Sequence, residues 1–342
     1  MKKVAVVILN WNTRGQLEKF LPAVVKYSPS ELCSIVVADN GSSDDSAQYV
    51  ARFYPQIQII QLDKNYGFTG GYMRALEKVD ARFYVLLNSD VEVTEGWIEP
   101  VIDRMEQNSS IAACQPKIRS YHQPESFEYA GAAGGFIDHL GYPFCRGRIF
   151  NLIEKDLGQY DERGKIFWAS GAAMFVRASI FHEAGGLDDD FFAHMEEIDF
   201  CWRVQNQGFT IEYIPESVVY HVGGGTLPNE SPAKLMLNFR NNLYCMYKNL
   251  PEKNLRSTIF LRMILDGIAF LQYAAKGKFR LAMAVPKAHL AYYKAIPILR
   301  KKRHDLKSQV LIDSHPGMYH RSIVLDYFLR GKSLFHSLSW KK

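Results

Sequence analysis

Phe83-Tyr84-Val85-Leu86-Leu87-Asn88-Ser89-Asp90 decides how this chain is read. Five apolar residues, β-branched and aromatic among them, predict a buried strand that stops abruptly at Asn-Ser-Asp. Val91-Glu92-Val93 then resumes a strand-like alternation. Open α/β sheets bind ligands in the crevice beyond their strand ends, so a carboxylate at that point is well placed to hold a metal. The same three residues also suit a plain turn. The flanking segments bear on which reading holds.

Before this stretch, residues 4–9 form a continuous apolar strand that ends in Asn10-Trp11-Asn12. A helix is predicted over residues 16–27, with Leu17, Phe20, Leu21, Val24 and Val25 on one face. Residues 34–38 make a second strand, closed by Asp39-Asn40-Gly41-Ser42-Ser43-Asp44-Asp45, whose turn and cap residues open another helix. Residues 57–62 make a third. Asn65-Tyr66-Gly67-Phe68-Thr69-Gly70-Gly71 then leads into a helix over residues 72–79. Strand and helix alternate, which implies a Rossmann-like α/β fold, a mostly parallel sheet with right-handed crossovers and helices on both faces. Three strand ends, carrying Asn10 and Asn12, Asp39, and Asn88 with Asp90, should therefore gather along one edge. The glycine loop follows the third strand rather than the first, so it is not the dinucleotide fingerprint. Its glycines would still let backbone N–H groups approach a phosphate.

After the stretch, a helix is predicted over residues 97–107 and a return to the sheet over 111–116. Residues 120–165 lack a clear period and suggest a partly extended insertion on the acceptor side. Trp168-Ala169-Ser170-Gly171-Ala172-Ala173-Met174-Phe175-Val176-Arg177 reads as a turn into a buried strand. A loop, Gly185-Gly186-Leu187-Asp188-Asp189-Asp190-Phe191-Phe192, precedes a helix starting at His194. Helical spacing puts Glu196, Asp199 and Arg203 on one face and turns Glu197 toward another. Asp199 and Arg203 suit an internal i,i+4 pair as well as a site. A strand over residues 217–220 delivers His221 just before Val222-Gly223-Gly224-Gly225-Thr226.

Apolar content of 47% and charged content of 23% are ordinary for a globular protein, and 342 residues allow a substantial core. The net charge of +5 permits an anionic ligand or membrane surface, and nothing in the pattern calls for nucleic acid. Cys33, Cys114, Cys145, Cys201 and Cys245 stand singly, which fits a reducing, cytoplasmic setting and speaks against disulfides or a zinc site. Met1-Lys2-Lys3 and the apolar run behind it resemble a secretion signal only superficially, since the run is short and lacks a cleavage site. No apolar run continues long enough to predict a membrane-spanning helix.

Together these motifs resemble the family 2 glycosyltransferases, inverting enzymes of the GT-A fold, and especially their rhamnosyltransferase-like branch. The resemblance runs through the segments at Asn10, Asp39, Gly67 to Gly71 and Asp90, then through Ser170-Gly171, Gly185-Gly186-Leu187-Asp188 and Glu196 to Arg203. It covers about the first two thirds of the chain, in order. It implies a nucleoside-diphosphate sugar donor, UDP- or dTDP-linked, with Mg²⁺ or Mn²⁺ as cofactor and a glycan or lipid-linked glycan as acceptor. Asp39, near Asn10, would hydrogen-bond the donor's pyrimidine. Asp90 would be the metal-binding acid, with Asn88 in place of the motif's first acid, and His221 a second ligand. Gly67, Gly70, Gly71 and Arg203 would serve donor binding. Glu197 takes the place of an Asp that is the family's general base, beside Glu196, and Tyr72 stands where the branch often has Asn. Two rival readings are a sugar nucleotidyltransferase, which would need a basic Gly-rich loop where Asn10-Trp11-Asn12-Thr13 stands, and a degenerate nucleotide-sugar-binding protein, favoured only by Glu-Glu.

The expected layout is a GT-A domain over residues 1–226 and a helical, basic region over 227–342. In the latter, Phe260, Met263, Ile264, Ile268 and Leu271 recur with helical period, interrupted by Arg262 and Asp266. Lys276, Lys278, Arg280, Lys287, Lys294 and Arg300-Lys301-Lys302-Arg303 surround Tyr292 and Tyr293. That composition suits peripheral contact with the inner face of the plasma membrane, or an ordinary packed subdomain. Oligomeric state is not legible in the sequence.

Overall fold

The computed structural model describes residues 2–223, 231–312 and 314–340. The chain begins β1 (Lys2–Asn10), α1 (Arg14–Tyr27), β2 (Cys33–Asp39), α2 (Ser46–Phe53), β3 (Gln58–Gln61), α3 (Gly67–Leu76), β4 (Ala81–Asn88), β5 (Val91–Val93), α4 (Glu99–Gln107) and β6 (Ile111–Ser120). Short strands follow: β7 (Gly135–Asp138), β8 (Pro143–Cys145), β9 (Arg148–Ile149), β10 (Leu152–Ile153) and β11 (Gly164–Ile166). Next come β12 (Ala173–Arg177), α5 (Ala178–Glu183), α6 (Glu196–Asn206) and β13 (Thr210–His221). The rest holds α7 (Pro232–Asn249), α8 (Glu252–Ala275), α9 (Phe279–Ala282), α10 (Ala284–Lys307), β14 (Met318–Tyr319) and α11 (Ile323–Arg330).

The main sheet runs β11-β13-β6-β12-β4-β1-β2-β3, with β5 beside β13. Its β4-β1-β2-β3 portion is parallel throughout. Along β1, Ala5 and Val7 enter one core cluster while Val4, Val6 and Ile8 enter the other. β4 divides likewise, Tyr84 and Leu86 against Phe83, Val85 and Leu87. Side chains alternate across a strand, so a run apolar at every position must be covered on both faces.

The other portion mixes directions: β13 runs parallel to β6, while the remaining pairings are antiparallel. β12 is antiparallel to both β4 and β6, and β11 and β5 are antiparallel to β13. Since β12 starts at the edge where β6 finishes, the excursion between them leaves and re-enters the sheet beside the end of β4. That excursion builds a second sheet, β10-β9-β8-β7-β14. β14 comes from the C-terminal region, which is therefore not purely helical, and it lies parallel to β7. The expected boundary at Thr226, with Gly224 and Gly225, falls outside the described residues.

One expectation is corrected here. α8, 24 residues long, is sufficiently long and apolar to cross a membrane by length and composition. Arg262 and Asp266 break its apolar run in the sequence, yet they pair with each other at 2.8 Å on its buried face.

Candidate active site

Parallel register brings the polar strand ends together, as expected. Asn10 lies opposite Asp39, and Leu9 opposite Asn88. Asn10 is fully buried, and its Nδ2 donates to Asp39 Oδ1 at 2.8 Å and to Ser42 Oγ at 3.0 Å. Thr13 Oγ1 donates to Asn10 Oδ1 at 2.6 Å. Asn10 is thus spent on fixing Asp39, whose Oδ2 takes only a long bond, 3.3 Å, from the Ser42 amide.

At the end of β13, His221 lies opposite Val91, which sets it against Asp90. His221 Nε2 is 3.2 Å from Asp90 Oδ1 and 3.5 Å from Asn88 Nδ2. Two neighbouring ligands on one ion, each at about 2.1 Å, stand roughly 3 Å apart, so this pair fits a single divalent cation. Among the described residues no set of three His, Cys, Asp or Glu side chains converges as a complete site. Mg²⁺-type ions commonly take one or two protein ligands and fill the rest with water and substrate phosphate.

Behind the histidine stands Glu128, its Oε1 3.4 Å from Nδ1. A ligating imidazole is oriented when its other nitrogen faces a carboxylate. Burial alone would lower the His221 pKa, but Glu128 and Asp90 outweigh it and hold it up at about 10. Asp90 is itself held low, burial being offset by His221. Sequence reading missed Glu128, which lies in the aperiodic stretch after β6. Only the topology carries it to this edge.

The glycine loop turns out to be packed rather than open. Gly67 has φ +74° and meets the Phe192 ring where a Cβ would stand, at 2.5 Å. In the first turn of α3 the Gly67 amide donates to Asn65 Oδ1 at 2.8 Å, and those of Phe68 and Thr69 donate to the Phe192 carbonyl at 2.8 and 3.2 Å. Gly71 fits closely against Leu9 and Asn40. The expected approach of a phosphate to this helix start therefore finds those amides already engaged. Tyr72 is fully buried, with its hydroxyl donating to Leu87 O at 3.1 Å, so it sits in the core.

The helix expected to begin at His194 begins at Glu196. Phe192, His194 and Met195 all take left-handed backbone, with φ of 65°, 70° and 74°. Such conformations in residues other than glycine persist only where surroundings enforce them. α7 does so here: Asn241 Nδ2 donates to the carbonyls of Phe191, Ala193 and His194 at 2.9, 2.8 and 2.7 Å. Asn241→Ala should cost about 1–3 kcal/mol of stability, the penalty for buried carbonyls left without a donor. Turnover should fall with it while donor affinity holds, and denaturant unfolding with steady-state kinetics checks both. A variant as stable and active as the parent would remove α7 from this role.

Of the two glutamates, Glu196 is buried and Glu197 half-buried. Burial, then the neighbouring Glu197 and Asp199, push Glu196 well above the usual carboxylate range. Burial also raises Glu197, but backbone amides restrain it to about 7. Among the described residues neither Oε2 has a hydrogen-bond partner.

Arg203 departs from its expected donor-binding role. Its Nε bonds Asp199 at 2.8 Å, Nη2 the Gly186 carbonyl at 2.5 Å, and Nη1 the Ala184 carbonyl. Buried and bonded through all three nitrogens, it ties α6 to the turn after α5. Asp199 also takes Lys248 and Asn249 from α7, both at 2.8 Å. The i,i+4 pair is structural.

The family model for glycosyl transferase family 2 matches residues 5–185. An N-acetylglucosaminyl-diphospho-decaprenol L-rhamnosyltransferase of Mycobacterium tuberculosis is 26% identical over 63% of this chain and 75% of its own length. The low-salt glycan biosynthesis hexosyltransferase Agl10 of Haloferax volcanii is 22% identical over 70% and 73%. Among solved structures, GalNAc-T7 with UDP, GalNAc and Mn²⁺ superposes with a TM-score of 0.60 at 15% identity, covering 97% of this chain, which spans 57% of that one. The mannosyltransferase PcManGT of Pyrobaculum calidifontis, with GDP-Man and Mn²⁺, gives 0.53 at 12% identity, covering 90% and 85%. With the family model spanning more than half its length over the same strands that carry Asn10, Asp39 and Asp90, this chain belongs to glycosyl transferase family 2.

Proposed function

We propose that this glycosyltransferase moves a sugar, with inversion, from a pyrimidine nucleoside-diphosphate donor (UDP- or dTDP-linked) to a glycan or lipid-linked glycan acceptor. The observation that carries it is the Asp90–His221 pair, 3.2 Å apart at the end of β4. Asp90 and His221 would hold Mg²⁺ or Mn²⁺, with Asn88 beside them. Bound there, the ion supplies positive charge to the leaving diphosphate. Asp39, fixed by Asn10, offers a carboxylate to a pyrimidine N3–H. The half-buried Glu197, with a pKa near neutrality, takes the proton of the acceptor hydroxyl. The hydroxyl oxygen forms its bond to the anomeric carbon while the bond from that carbon to the diphosphate oxygen breaks. Support also comes from the relatives: the names of two are those of a rhamnosyl- and a hexosyltransferase, and both solved neighbours carry Mn²⁺.

The test is donor hydrolysis across UDP-, dTDP- and GDP-sugars, with and without Mn²⁺ or Mg²⁺. Metal-dependent release of UDP or dTDP is expected, and no turnover of any donor would favour a degenerate binding protein. Asp39→Ala should lose the preference for pyrimidine over purine diphosphates by about tenfold or more, the scale set by an unpaired buried polar group. Equal UDP binding by variant and parent in calorimetry would remove Asp39 from base recognition.

A further inference from the structure

α8 is amphipathic in the inverse sense to a helix on an aqueous surface. At about 100° per residue, Phe260, Leu261, Ile264, Ile268 and Leu271 share one stripe. All five are exposed, by 47% to 65%. Midway along the same helix the charges point inward instead, whereas Glu252, Lys253 and Arg256 of its first turns stay exposed. Arg262 and Asp266 are buried, Arg262 lies 3.8 Å from the Tyr142 ring centre, and His289 of α10 is 3.1 Å from Asp266. α11 repeats the pattern: Asp326 is fully buried, bonded to Arg330 and Tyr319, while Leu325, Phe328 and Leu329 are exposed by 40%, 58% and 78%.

The stripes adjoin. Tyr293 of α10, itself exposed, donates to Met263 Sδ of α8 at 3.3 Å, and Leu290 and Ile298 continue outward along α10. On the other flank, a groove of about 400 Å³ separates α8 from α11, with Leu261, Ile264 and Leu325 on its walls and Arg321 and Arg330 among its lining. Single exposed apolar residues need no explanation, whereas a patch continuous over three helices does.

Charge identifies what covers it. Residues 227–342 carry 21 Lys and Arg against 6 Asp and Glu, whereas residues 1–226 carry 20 against 30. Exposed Lys276 and Arg280 follow the end of α8, and exposed Lys287 and Lys294 border the α10 stripe. A face with that excess repels a second copy of itself and attracts anionic headgroups.

We propose that α8, α10 and α11 form a docking surface for an anionic lipid bilayer, their stripes entering the headgroup–acyl boundary and their cations meeting lipid phosphates. α8 lies along the surface rather than crossing it, because Arg262 and Asp266, midway along it, are bonded into the protein body. None of these residues belongs to the donor site, so the proposal stands apart from the sugar-transfer reading.

The full chain is floated with vesicles of phosphatidylcholine alone and with about one third phosphatidylglycerol. The parent should bind the anionic vesicles at least about tenfold more tightly than the neutral ones. Ile264→Glu with Ile268→Glu, both at exposed positions, should weaken that binding about tenfold or more. Lys287→Gln with Lys294→Gln should weaken anionic binding alone, which keeps the test open should the first variant misfold. Donor hydrolysis, measured on every preparation, separates this result from the sugar-transfer reading. A parent that ignores anionic vesicles, or glutamate and glutamine variants that bind as it does, would overturn the proposal. A parent dimer that the glutamates split, with no vesicle binding, would assign the face to a second copy instead.

Discussion

Asp90→Ala is expected to abolish metal-dependent binding of the nucleoside diphosphate. Among the described residues Asp90 and His221 meet as a ligand pair at this edge, and their 3.2 Å separation suits one ion. Loss of one ligand leaves a lone imidazole, which Glu128 on its far nitrogen orients but does not replace. Altering groups that merely support metal ligands already costs about 10- to 100-fold in affinity, so removing a ligand should cost about a hundredfold or more. Because diphosphate oxygens are expected to share the ion, UDP affinity with Mn²⁺ present should fall to the level seen in chelator. Asp90→Asn retains the shape, so similar behaviour in both variants would tie the loss to charge and coordination rather than to folding. Mn²⁺ binding followed by electron paramagnetic resonance reads the metal directly. If either variant binds Mn²⁺ and UDP like the parent, Asp90 is no ligand.

The candidate site was legible where topology alone could assemble it. In a parallel sheet all carboxyl ends share an edge, so Asn10, Asp39 and Asn88 converge once the strand order is known, as their register shows, and Asp90 follows in the turn after β4. What escaped depends on tertiary partners. Glu128 has no local signature and reaches His221 because the excursion after β6 leaves at the site edge. Arg203 has readable spacing to Asp199, but the carbonyls of Ala184 and Gly186 that complete its set belong to a distant turn. Gly67 follows the same logic: motif position suggested donor contact, and packing against Phe192 gave it an internal task, while Tyr72, standing where the branch often has Asn, bonds Leu87 in the core. For α8 the sequence reading took Arg262 and Asp266 as breaks in the apolar run, because their pairing on the buried face is invisible in one dimension.

Glu197→Gln is expected to lower turnover about a hundredfold or more, the scale of a general base, with donor binding nearly intact. Glu197 and Glu196 both stand in the first turn of α6, yet their surroundings differ. Glu196 is buried, and burial followed by the neighbouring Glu197 raises it well above the usual carboxylate range. Glu196→Gln keeps the side chain's shape at the more buried position and should lower turnover far less than Glu197→Gln. Glu197 is half-buried with a pKa near 7, close to the optimum for a group that must be ionised before reaction and protonated during it. The sign follows: activity requires the deprotonated form, so kcat/KM should be level above about 7 and fall about tenfold per unit below it. Glu197→Asp withdraws the carboxylate by one methylene, and displacement near 1 Å is enough to cost about a hundredfold. A rise in activity instead would mean that the glutamate over-reaches. If Glu196→Gln is inactive while Glu197→Gln turns over normally, the two roles are reversed. If the acid limb persists unchanged in Glu197→Gln, another group is the base.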